Sequence, residues 1–235
     1  MKQNLRRNFL AFMTATAGLV VAPSIAGEIK LSARLPSTVP EHDAHGIWAL
    51  QQELITLAES LLGKRDHTKK IYQPAFQENG PRLEITLDGA FVVLGRYSKV
   101  YWPTVICEMA HETVHLLNPI LCPTNWLEEG VATEFSIYAQ NVYSVPVQSP
   151  EFGPYFEALT MVRALPSGAL AAANKVRKAV GALSAVSFQQ LRTLFPSCDS
   201  AILRRLSEKF ATCPRPQGTV PIPEEPYQSK RSPKR

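Results

Sequence analysis

The chain has 235 residues and a formal net charge of +5, a length that suits one sizeable domain with additional ends. The charge belongs to those ends: residues 1–26 carry three cations and no acid, and residues 214–235 hold five Lys or Arg against two Glu, which leaves residues 27–213 near −1. A near-neutral middle without an aromatic-basic stripe gives nucleic-acid binding no support.

Residues 1–8 carry Lys2, Arg6 and Arg7, residues 9–21 are apolar, and Ser24-Ile25-Ala26 offers a small-residue cleavage site. This is the layout of a secretory signal over residues 1–26, removed on export. Arg6-Arg7-Asn8-Phe9-Leu10 also resembles the twin-arginine export signal, the alternative being an ordinary signal with paired Arg. The apolar run is too short to span a bilayer comfortably, so no stable membrane insertion is expected after cleavage. The mature protein is expected to be periplasmic or secreted, with one domain over residues 27–213.

His42, Asp43 and His45 read as surface residues around a helix start rather than as ligands. Ile47, Leu50, Leu54, Leu57, Leu61 and Leu62 recur at helical spacing and predict a long amphipathic helix over 45–62, ended by Gly63. His67 lies among Arg65, Lys69 and Lys70 and is expected to be exposed. Residues 82–87, Asp88-Gly89 and 91–95 read as a β-hairpin. Residues 99–102 are expected to form another short strand.

Pro103 suits the first turn of a helix, and Asn118-Pro119 ends it. Within this largely apolar helix lies His111-Glu112-Thr113-Val114-His115, which contains two of the five histidines in the chain. Residues four apart share a helix face, so both imidazoles can address one metal ion. Glu112, one step round, can reach a water on that metal and take its proton. A second helix is predicted from Asn125 as N-cap, with Glu128 as capping-box partner. Helices joined by a short linker bring the end of the first beside the start of the second, and so His115 near Glu129. Two His and one Glu, with a fourth position open, form a catalytic rather than a closed structural metal site.

HETVH followed by WLEEGVA resembles the gluzincin clan of zinc metallopeptidases over about residues 103–135. The resemblance implies one zinc ion per chain bound by His111, His115 and Glu129, with Glu112 as general base and acid. Thirteen residues separate His115 from Glu129, which implies a compact, minimal member. Many relatives place an acidic partner for a ligand four residues after the ligand Glu. Here that position is Thr133, followed by Glu134, which is either such a partner or a partly buried acid with a basic neighbour. By analogy with such peptidases, residues 91–94 are a candidate edge strand for aligning an extended substrate, a plain core strand being the alternative. Tyr138, Tyr143 and Tyr155 are candidates for stabilising the tetrahedral intermediate.

Downstream the pattern is helical: from Ser149-Pro150-Glu151 to about Leu165, over 167–180, after a capping box at Ser187 and Gln190, and over 199–211. Residues 214–235 are Pro-rich and basic and read as a disordered tail. Four cysteines in an exported chain suggest two disulfides; the sequence-local pairing, Cys107–Cys122 and Cys198–Cys213, is expected, with buried thiols as the alternative. The expected fold is α+β: a small N-terminal β-sheet with helices, a zincin-like active-site helix, and a mostly helical C-terminal half. The expected function is hydrolysis of peptide bonds in a peptide or protein substrate. The alternative is a zinc-binding, catalytically idle scaffold that binds a partner in the envelope.

Overall fold

The computed structural model describes residues 35–121 and 123–210. The expected export signal and disordered tail, with Cys122 and Cys213, lie outside the described residues. The first helix, α1 (Ala44–Leu62), begins where the Asp43 side chain accepts a hydrogen bond from the Gly46 N–H at 2.8 Å. That N-cap satisfies one of the orphan donors of the first turn. α1 ends at Gly63, whose φ of 95° is readily open only to glycine.

Four strands follow: β1 (Lys70–Ile71), β2 (Ala75–Phe76), β3 (Arg82–Ile85) and β4 (Gly89–Leu94). β3 and β4 form the expected antiparallel hairpin, with Ile85 opposite Ala90 and Arg82 opposite Val93. β1 and β2 pair parallel to successive parts of β4, Lys70 with Gly89 and Ala75 with Val93. β4 is therefore central, not an edge, and all six of its residues are buried. This corrects the expectation of an edge strand at 91–94: its continuous apolar run marks a strand covered on both faces. The expected strand at 99–102 is also absent. Arg96–Lys99 form a 3-10 turn, and Trp102 already begins the next helix.

That helix, α2 (Trp102–Leu116), has Pro103 in its first turn. It packs against β4 on one side and most extensively against α3 (Trp126–Val142) on another. Leu54, Ile106, Met109, Leu116, Leu127 and Phe135 fill the space between these elements. α4 (Pro154–Arg163), α5 (Ala169–Val180), α6 (Phe188–Leu194) and α7 (Ser200–Ser207) complete an α+β fold that is mostly helical. α4 starts a few residues later than expected, at Gly153. The capping box at Ser187 and Gln190 is present in both directions. Gly130 sets the approach of α4 to α3: a Cβ there would lie 2.6 Å from the Ala158 carbonyl oxygen and from Val162 Cγ1. The chain then returns to the start of α3. Trp126 N–H donates to the Glu208 carbonyl, and Phe210 N–H to that of Thr124. No helix among the described residues is long and apolar enough to cross a membrane.

Candidate metal centre

α2 carries His111, Glu112 and His115 within two turns, and α3 carries Glu129 in its first turn. Packing the two helices together brings the separated motifs to one point. His111 Nε2 lies 3.3 Å from Glu129 Oε2, and His115 Nε2 lies 3.7 Å from Glu129 Oε1. The ligand atoms of His111, His115 and Glu129 all fall within 4.8 Å of one another, an arrangement that could hold a metal ion.

Neighbouring side chains fix these groups in orientation. His115 Nδ1 donates to Glu128 Oε1 at 2.8 Å, which turns Nε2 toward Glu129. A carboxylate on the far nitrogen of a ligating imidazole sets its tautomer and raises its basicity. Thr124 Oγ1 donates to Glu129 Oε1, and Thr133 Oγ1 donates to the Glu129 backbone carbonyl at 2.8 Å. Glu128 corrects the capping-box expectation. Asn125 does accept from the Glu128 N–H, but the Glu128 side chain turns to His115 instead of back to the cap. Glu134 does not reach the centre either; it pairs with Arg163 at 2.7 Å. The carboxylate partner of His115 is thus the residue before Glu129, not one after it.

The electrostatics favour a cation. Glu112, Glu128 and Glu129 are buried around two imidazoles. Burial pulls His115 toward its neutral form, but Glu129, Glu128 and Glu112 outweigh it and raise its pKa to about 10. Burial pushes the Glu129 carboxyl up, but His115, His111 and Thr124 together lower it to about 2. Glu112 rises: its burial outweighs the pull of the two histidines. Glu128 Oε2 is buried without a hydrogen-bond partner, so this carboxylate is only half satisfied. Two imidazole nitrogens and one carboxylate oxygen, amid excess negative charge, fit a divalent ion of borderline softness.

The centre opens on a cleft of about 680 Å³. Glu108, His111 and Glu112 line one side, with Gly80 and Pro81 at the start of β3 and the 148–150 segment around them. Of the three tyrosines, only Tyr155 lines this cleft, and its ring meets that of His111 edge-on at 5.7 Å. Tyr143 donates instead to Glu53 at 2.7 Å, and Tyr138 packs against the core. His42, His45 and His67 lie away from the centre; Asp43 serves as the cap of α1. Cys107 and Cys198 are free thiols, and the partners expected for them, Cys122 and Cys213, lie outside the described residues. Cys107 faces the cleft and accepts from Ser136 Oγ at 3.4 Å. Sequence reasoning missed Glu128, Thr124 and Glu108 as parts of the site. The doubled acid Glu128-Glu129 was the available signal for the first; the other two depend on the fold. Comparison of the chain with protein-family models, curated proteins and solved structures finds no match.

Proposed function

We propose that the protein is an exported zinc metallopeptidase of minimal gluzincin type. The observation that carries this reading is the convergence of His111, His115 and Glu129 beside a buried Glu112, with His111 and Glu112 lining a cleft. His111, His115 and Glu129 would hold one zinc ion; when bound there, zinc acidifies a water and polarises a carbonyl. Glu112 takes the water's proton and passes it to the leaving amine. Burial, which raises its proton affinity above that of an ordinary carboxylate, suits it to both transfers. Glu128 holds His115 in the tautomer that presents Nε2. Tyr155, whose ring meets that of His111 edge-on, is the candidate donor to an oxyanion. The apolar signal and its cleavage site over residues 1–26 support the exported part of the reading.

The test is elemental analysis of the purified mature protein, beside Glu129→Ala and His115→Ala. One zinc per chain, lost in both variants, supports the ligand set. Peptide-library cleavage that stops on chelation and in Glu112→Gln supports the chemistry. Zinc bound without turnover of any peptide would favour the idle scaffold. No zinc in protein never exposed to a chelator would overturn both readings.

A further inference from the structure

Glu108 lies on α2 one turn before His111 and Glu112, and the three line the same cleft. We propose that Glu108 is a specificity-determining residue of the metallopeptidase reading, on which this inference rests. Its carboxylate receives a cationic group of the substrate, a Lys or Arg side chain or a free α-ammonium, beside the bond to be cut.

Three observations carry this. The carboxylate is built into the wall: Gly95 N–H donates to Glu108 Oε2 at 2.8 Å, and Ser98 Oγ donates to the same oxygen at 2.6 Å. Both donors hold one oxygen, and Oε1 accepts from no described residue. Gly95 lets the carboxylate sit close, since a Cβ there would lie 3.0 Å from Glu108 Oε1. Second, among the described residues the cleft lining contains the carboxylates of Glu108 and Glu112, the imidazole of His111 and no Lys or Arg, so no permanent cation there faces Glu108. Burial pushes the Glu108 carboxyl above its ordinary range despite its two donors, and an incoming cation is the partner that would restore it. Third, residues three and four apart on a helix stand about 5–6 Å from one another at Cβ. That is the reach from a scissile carbonyl to a neighbouring residue's side chain or amino terminus. Glu112 is committed to proton transfer, which leaves Glu108 as the charge available for recognition.

The test measures binding to the zinc-loaded Glu112→Gln protein, which holds substrate without cutting it. The probes are an otherwise neutral peptide with one Arg and its citrulline counterpart, each with a free and an acetylated N-terminus. A cationic group is expected to tighten binding about tenfold, and Glu108→Gln to erase the difference. Gln retains an oxygen for Gly95 and Ser98, so an unchanged melting temperature separates loss of charge from loss of fold. A difference between Arg and citrulline alone assigns the site to a side chain; a difference on acetylation alone assigns it to the α-ammonium. Equal binding of all four peptides, or a preference that survives Glu108→Gln, overturns the proposal. Equal cleavage of cationic and neutral peptides by the wild-type protein overturns it while leaving the peptidase reading intact. Failure to bind or cleave any peptide overturns both.

Discussion

The floor and the rim of the cleft are built in opposite ways. The floor and wall, on α2 and the first turn of α3, hold ionisable groups out of open solvent and fixed by neighbours: His115 by Glu128, Glu129 by Thr124, Glu108 by Ser98 and Gly95. The rim at the start of α4 gives Tyr155 to the cleft, and apolar rings next to it in the chain are exposed. Phe152 is 84% exposed and Phe156 44%, beside Tyr155, which lines the cleft. A buried polar network admits little change, because any member that loses its partner is left unsatisfied in a medium that screens poorly. An exposed ring that few atoms touch tolerates change and is free to meet a partner. Chemistry therefore belongs to the floor, and adaptability to the rim.

Substitutions can break or sharpen this contrast. The largest effect is expected at Glu112→Gln, which should lower turnover by about 10²–10⁴-fold while zinc content, by elemental analysis, stays at the wild-type level. Next is Glu128→Gln. Its amide holds His115 less firmly, and zinc affinity, by competition with a chelator, should fall about 10–100-fold. A metal-free preparation should then show the cost of the crowded charges as a pH dependence of melting temperature. Glu129 is lowered to about 2, so its contribution is present above the ordinary Glu range and lost as pH falls toward 2. His115 is raised to about 10, so its contribution is present below the ordinary His range and lost as pH rises toward 10. Chelator-treated protein should melt highest between about pH 4.5 and 6.5, and a profile that is flat on both sides would contradict the charge arrangement. The smallest effect is expected at the rim: Phe152→Ala should shift stability by no more than about 0.5 kcal/mol, read by denaturant titration. A large loss there would mean the ring is structural, and the contrast would fail.

What was legible in the sequence was what is local. The 45–62 helix, the hairpin around Asp88-Gly89, the capping box at Ser187 and the two histidines four apart each follow from spacing within a few residues. Glu129 came from two motifs and a short linker. The centrality of β4 was not legible, because its parallel partners β1 and β2 are two residues each and carry no pattern of their own. Glu128 was misread because an acid three residues after an Asn N-cap fits a capping box equally well. Only the packing of α2 on α3 decides that His115 is the stronger attraction for its carboxylate. Glu108 was not legible either, because the turn at Gly95–Ser98 that holds its carboxylate reaches it from the sheet.

The return of residues 208–210 to the start of α3 has a consequence for biosynthesis. The segment carrying Thr124 and Glu129 is hydrogen-bonded to residues made much later, and the Phe210 ring meets Trp126 edge-on and Tyr155 at a tilt. Contacts between such distant positions form late, since the intervening chain must be ordered first. A ribosome-bound chain that has released HETVH and WLEEG thus presents histidines and acids without the frame that converges them. The frame is complete only once residues 208–210 have returned to the start of α3.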